Sequence, residues 1–112
     1  LRPHVHLQHP LLEDFALLTD HDFRQVFSGS PVKRLGRDRF VRNVLIAIGN
    51  SENSTLSEPA EYLLQDHSPL VRAMAVWALS RLVDQRSFDF LRKRHLVNET
   101  DHDVRAEWSG DM

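Results

Sequence analysis

One local device recurs along this chain, and its spacing limits the possible folds more than any other feature. "SPVKR" at 30–34 and "SPLVR" at 68–72 place Arg34 over Arg72 at a spacing of 38 residues. "HDVRAEW" at 102–108 places Val104-Arg105-Ala106 over Val71-Arg72-Ala73 at a spacing of 33. Serine followed by proline is a helix start: the hydroxyl accepts from an orphan backbone N–H, and proline in the first turn loses no hydrogen bond. Units of this length hold two short helices and too little core to stand alone, so they must stack.

The apolar period agrees. Residues 1–10, "LRPHVHLQHP", have two prolines and no periodicity and read as an irregular lead-in. "LLEDFALL" at 11–18 is a short helix. Thr19 then caps "DHDFRQV" by accepting from the Asp22 N–H, with Phe23, Val26 and Phe27 on one stripe and Gly29 as a left-handed stop. Gly36 separates a turn at Ser30-Pro31 from a helix over about 37–48. There Phe40, Val41, Val44, Leu45, Ala47 and Ile48 share a face, while Arg39, Arg42, Asn43 and Ile46 project oppositely. After a polar loop at 50–57, Ser57 caps a helix over 57–66. The stretch "PLVRAMAVWALSRLV" at 69–83 is apolar nearly all round, as an inner helix with neighbours on most sides should be. Ser87 caps "FDFLRKRHLV", and Thr100 or Asp101 caps "DHDVRAEW". No strand pattern emerges.

Asp66-His67-Ser68-Pro69-Leu70-Val71-Arg72 resembles the HEAT-repeat signature D-x-x-P-x-V-R. The expected fold is therefore all-α, an α-solenoid of HEAT-like helical hairpins in a right-handed stack of short antiparallel pairs. Leading helices occupy 11–29, one repeat 30–66, a second 67–99, and a truncated third 100–112. The chain starts at Leu1 and stops in "EWSGDM" before a clear helix stop, so we expect it to belong to a longer protein.

Composition narrows the chemistry. The 112 residues include no cysteine, which removes disulfides, thiolate metal sites, iron–sulfur ligation and a thiol nucleophile from this chain. No apolar run reaches a membrane span and no signal-peptide pattern is visible, so a cytoplasmic setting without a membrane partner is expected. The net charge of −2 conceals an uneven distribution: +4 over residues 31–50, −4 over 51–68, +3 over 69–100 and −3 over 101–112. A polyanion responds to such local positive charge.

The candidate anion-binding residues are Lys33, Arg34, Arg37, Arg39, Arg42 and Asn43, with Arg92, Lys93 and Arg94 as a possible extension. Five of the first group are cations with only Asp38 among them, in and before the first turns of a helix, where the macrodipole disfavours positive charge. That placement points to an external anion. The competing explanation is a solvated face plus repeat arginines that bridge to acids such as Asp66 and Asp101. Arg34, at the repeat position, is partly structural on that account. The second cluster lies at a helix C-terminus, where the dipole favours cations anyway. His4, His6 and His9 lack the anchoring ligands of a metal site. His67 and His102 read as exposed or capping, and Trp77 and Trp108 as core. No Ser-His-Asp spacing, phosphate loop or carboxylate pair stands out, so no catalytic residue is assigned.

"FSGSPVKRLGRDRFVRNVLIAIGNS" with "HSPLVRAMAVWAL" resembles the C-terminal helical-repeat region of epoxyqueuosine reductase. The pattern G-S-P-x-K-R-x-G-x-x-R-x-x-R-N-x-x-x-A-x-G-N-S is matched by Gly29, Ser30, Pro31, Lys33, Arg34, Gly36, Arg39, Arg42, Asn43, Ala47, Gly49, Asn50 and Ser51. "FRQVF" at 23–27 also looks family-like, and the similarity covers roughly residues 11–83. The resemblance implies reductive removal of the epoxide oxygen from epoxyqueuosine at the tRNA wobble position, the last step to queuosine in bacteria. It implies cobalamin and 4Fe-4S clusters in preceding domains of the same chain, and none within this one. For these residues it implies an accessory role, holding tRNA near its anticodon stem-loop. The alternative from another class is a structural or protein-binding solenoid, with Ile46 as an interface contact. A self-contained enzyme is not expected.

Overall fold

The computed structural model describes residues 9–110, leaving aside the side chains of residues 9 and 10. The described residues are all-helical, with no strand among them. The α-helices are α1 (His9–Ala16), α2 (Asp20–Val26), α3 (Arg37–Gly49), α4 (Ser57–Tyr62), α5 (Pro69–Leu82), α6 (Gln85–Leu96) and α7 (His102–Ser109). Short 3₁₀ turns fill Pro31–Leu35, Ser54–Leu56 and Leu63–Gln65.

The starts follow local chemistry. Thr19 Oγ1 accepts from the Asp22 N–H at 3.1 Å, Ser30 Oγ from Val32 N–H at 3.2 Å, and Ser68 Oγ from Val71 N–H at 3.4 Å. Asp101 accepts from both Asp103 and Val104. Gly36, at φ 87°, divides the 3₁₀ turn from α3 in a conformation that side chains resist.

Four local expectations are corrected. Helix α1 begins at His9 and so takes in the last two residues of the expected lead-in; the rest of that lead-in, His4 and His6 included, lies outside the described residues. The cap of α6 is Asp84, whose carboxylate accepts from the Ser87 N–H; an ionised carboxylate is the stronger acceptor. Ser57 is the first residue of α4 instead of its cap, because Asn53 caps a preceding 3₁₀ turn that runs directly into the helix. Ala47 faces solvent, leaving Val41, Val44, Leu45 and Ile48 as the buried side of α3.

Helices α3, α5 and α7 pack side by side as one layer, and α4 and α6 back α5 as the other. This arrangement explains the near-continuous apolarity of α5: Val71, Ala75, Val76, Ala78 and Leu79 are all buried between neighbours. Removing each large aliphatic side chain from water contributes about 1.5–3 kcal/mol. At the N-terminal side Phe15, Phe23, Phe27 and Phe40 form an aromatic cluster with ring centroids from 4.9 to 6.2 Å apart, joining α1 and α2 to α3. At the other end Trp108 is buried against Phe88 and His95. Together these make the α-solenoid that the repeat spacing calls for.

Candidate nucleic-acid interface

The basic cluster around the start of α3 divides into two kinds of cation. Arg37 is one kind. Only 7% exposed, it donates Nε to the Leu18 carbonyl at 2.9 Å and forks onto Asp66, Nη1 to Oδ2 at 2.9 Å and Nη2 to Oδ1 at 2.8 Å. Nη1 also reaches Asp38 Oδ1 at 3.0 Å. Burial works against charge on Asp66, but the Arg37 fork and the Ser68 N–H outweigh it and hold the carboxyl below its usual range. The hydrogen bond to Asp66, with a smaller one to Asp38, outweighs burial and raises Arg37 above its ordinary value. Arg37 is thus committed to the protein, and its expected place among the solvent-facing phosphate ligands is corrected.

Arg37 also has the repeat role that string alignment gave to Arg34. Arg72 makes the corresponding fork one repeat later, onto Glu99, with both contacts at 2.9 Å. Each acid also accepts the backbone N–H two residues ahead, Ser68 on Asp66 and Asp101 on Glu99. Arg105 continues the series by donating to the carbonyls of Leu96 and Glu99.

Lys33, Arg34 and Arg39 are the other kind. All three are exposed, and none makes an ion pair with a described residue. Lys33 and Arg34 line an open hollow of about 400 Å³ with Gly29, Ser30 and Pro31. Arg39 stands on the rim of a second hollow, about 600 Å³, which Asp20, Asp38 and His67 also line. Arg42 is half-buried, with Nη2 3.4 Å from the exposed Asn43 side chain and Nε without a hydrogen-bond partner among the described residues. Lys33, Arg34, Arg39, Arg42 and Asn43 are carried by the 3₁₀ turn and the first two turns of α3, the N-terminal edge of this first-layer helix.

Arg92, Lys93 and Arg94 are not brought to that edge. They belong to α6 in the second layer, where Arg94 shares an open groove with Glu58, Glu61 and Tyr62. Arg94 forms no ion pair with a described residue, but two acids line the groove it faces. His67 and His102 are exposed at helix starts, as expected. Asp38, Asp66 and His67 place ligand atoms within 4.8 Å of one another. Arg37 occupies both Asp66 oxygens, however, so the cluster already holds its cation. Nor does the chain offer thiolates for an iron–sulfur cluster, having no cysteine. No described helix is long and apolar enough to cross a membrane.

Sequence reasoning missed Arg81. Its Nε donates to the Gly49 carbonyl at 3.3 Å and its guanidinium lies 5.5 Å from the centroid of the Trp77 ring. The available signal was a tryptophan and an arginine four residues apart at the end of an inner helix.

Known proteins share this architecture. The Bacillus subtilis epoxyqueuosine reductase is 25% identical over 108 residues, which cover 96% of this chain and 28% of the enzyme. The Escherichia coli enzyme is 28% identical over 86 residues, 76% of this chain and 22% of that protein. An uncharacterized protein from the gldA 3′ region of Geobacillus stearothermophilus is 26% identical over 108 residues, 96% of this chain and 50% of its own length. The chain thus spans half or less of these relatives. A crystal structure of epoxyqueuosine reductase with an epoxyqueuosine-modified tRNA-Tyr stem loop superposes with a TM-score of 0.80 at 19% identity, over 88% of this chain and 26% of that one. At that identity the superposition speaks for the fold. The resemblance carried by residues 29–51 holds: this chain is similar to one region of the epoxyqueuosine reductases. The family model for HEAT repeats matches residues 37–109, and with the stacked hairpins and their arginine forks the chain belongs to the HEAT-repeat family.

Proposed function

We propose that this chain is the tRNA-positioning region of an epoxyqueuosine reductase, the enzyme that reduces epoxyqueuosine to queuosine at the tRNA wobble position. Its contribution is to hold the anticodon stem-loop. Chemistry, cobalamin and the 4Fe-4S clusters belong to other domains of such an enzyme, on which this solenoid packs, in the cytoplasm.

The observation that carries this reading is the contrast within one short stretch. Arg37 is neutralised by Asp66, whereas Lys33, Arg34 and Arg39 are exposed and form no ion pair with a described residue. Such cations bind phosphate oxygens and release condensed counterions. A-form RNA is recognised mainly through shape and backbone, which suits a row of cations on a stacked-helix edge. Similarity to the reductases, and a matching fold in one that binds a tRNA stem loop, support the choice of ligand. Lys33, Arg34, Arg39 and Arg42 are the direct contacts, with Asn43 beside them. Arg92, Lys93 and Arg94 act at longer range from the second layer.

The test is binding of a tRNA anticodon stem-loop by the intact protein, measured by fluorescence anisotropy across salt concentrations. Each lost phosphate contact lowers the log–log salt slope by about 1, so Lys33→Ala with Arg39→Ala should lower it by about 2. An unchanged slope refutes the reading. A second reading, docking against protein, is favoured by the exposed side chains of Leu35, Ile46 and Leu70 around the same edge. Crosslinks from residues 37–46 to protein and not RNA would favour it.

A further inference from the structure

We propose that Arg81 is an additional phosphate-binding residue, a preset guanidinium fork at the far end of α3 and α5 from the cationic edge that begins at Lys33. The proposal rests on reading that edge as an RNA surface, and names a contact that neither the motif nor the charge clusters include.

Three observations carry it. Arg81 is exposed, and its two terminal nitrogens have no hydrogen-bond acceptor or acid among the described residues. By contrast, Arg37, Arg72 and Arg105 direct terminal nitrogens to protein oxygens. Secondly, Arg81 is held in place. Its Nε donates to the Gly49 carbonyl, one of the orphan acceptors at the end of α3, and its guanidinium lies against the Trp77 ring. That ring is fixed in turn, because it lies directly against the Gly49 backbone. With one N–H and one side restrained, the remaining donors form a fork aimed at solvent, and little rotamer freedom is left to lose on binding.

Thirdly, the location fits. Gly49 ends the helix whose other end carries Arg39, ten residues earlier, or about 15 Å along the axis. Arg81, in the last turn of α5, therefore stands at the C-terminal end of the neighbouring first-layer helices α3 and α5, as Arg39 stands at the N-terminal end of α3. The ligand class is a phosphodiester oxygen of an RNA backbone, for which a planar fork is the best-matched side chain.

A cap that merely seals α3 predicts something different from a phosphate ligand, and salt dependence separates them. Arg81→Ala and Arg81→Gln are compared in the intact protein with Lys33→Ala, using an anticodon stem-loop as probe. Glutamine keeps an N–H able to cap Gly49 while removing the charge, so it remains informative if alanine impairs folding. We expect Arg81→Gln to lower the salt slope by about 1, and Arg81→Lys to restore it. If Lys33→Ala lowers the slope while Arg81→Gln leaves it unchanged, Arg81 is a cap only and the proposal is overturned. If neither variant changes the slope, the RNA reading falls together with it.

Discussion

Arg37 grips Asp66 through two hydrogen bonds of 2.9 and 2.8 Å across 29 residues of sequence, and Arg72 grips Glu99 through two of 2.9 Å across 27. Each fork ties a first-layer helix to the loop that starts the next first-layer helix. Each acid also accepts an N–H at that start, so one carboxylate fixes both the loop and the spacing of the stack. The repeat is thus held by a recurrent polar staple over a continuous apolar core.

Removing one side of the Arg37 staple should be costly. Both side chains are nearly shielded, at 7% and 9% exposure, so Arg37→Ala leaves a buried carboxylate without its partner, a loss of about 3–5 kcal/mol. Arg72→Ala should cost less, because Arg72 is 18% exposed and water can replace part of what it provides. Urea unfolding midpoints measure both. Lysine at 37 should recover little, since one ammonium cannot make the two-point fork. Equal costs for Arg37→Ala and Arg72→Ala would contradict this account.

Acid should loosen the same staples. Asp66 and Glu99 are held below their ordinary values of 3.8 and 4.5, burial being outweighed by the arginine forks and backbone N–H groups. As pH falls, the unfolded chain binds these protons before the folded one does. The stabilisation is therefore complete above about pH 4.5 and is lost as pH drops through the folded values. Asp66→Asn should lower stability at neutral pH and flatten its decline between pH 5 and pH 3, seen in melting temperature against pH. An undiminished acid slope in Asp66→Asn would assign the decline to other carboxylates.

Caps and apolar stripes were legible in the main, the Ser57 and Ser87 caps and Ala47 excepted, because they depend on neighbours three or four residues away. Thr19 and Ser68 bond where their positions indicate, and α5 is buried because its own composition demands it. Arg37 was misplaced for the opposite reason. Its partner is 29 residues distant, and nothing local separates it from Arg34 or Arg39. Aligning "SPVKR" with "SPLVR" put Arg34 at the repeat position, but the Gly36 break starts α3 three residues later and presents Arg37 to Asp66 instead. Arg81 was missed likewise, since its meaning depends on the end of another helix.

Gly49 is the last residue of α3, and its packing sets the sign of a substitution there. A Cβ at this position would overlap the Trp77 ring, with Cζ3 nearest. Gly→Ala inside a helix ordinarily stabilises by about 1 kcal/mol. Here the sign should reverse, because overpacking costs about 1–3 kcal/mol and Trp77 is also held beneath Arg81. Gly49→Ala should lower the melting temperature, and Trp77→Leu in the same chain should relieve most of the loss. Additive effects in that double-mutant cycle would mean the two residues do not meet.

His95 reports on the opposite end of the stack. Its ring lies parallel to Trp108, 8° between planes and 6.1 Å between centroids. Burial first, and then the neighbouring Arg94 charge, depress the imidazole below its ordinary value of 6.5, while Glu61 pulls weakly the other way. The unfolded chain therefore takes the proton first, so this stabilisation is complete above about pH 6.5 and is lost as pH falls through the folded value. An NMR titration should place His95 below 6.5. Arg94→Ala should move it up by removing a repulsive charge, and Glu61→Gln should move it down by removing an attractive one. Burial remains in both variants, so neither should restore the ordinary value; full restoration by Arg94→Ala would mean that charge, and not the packing against Trp108, sets the titration.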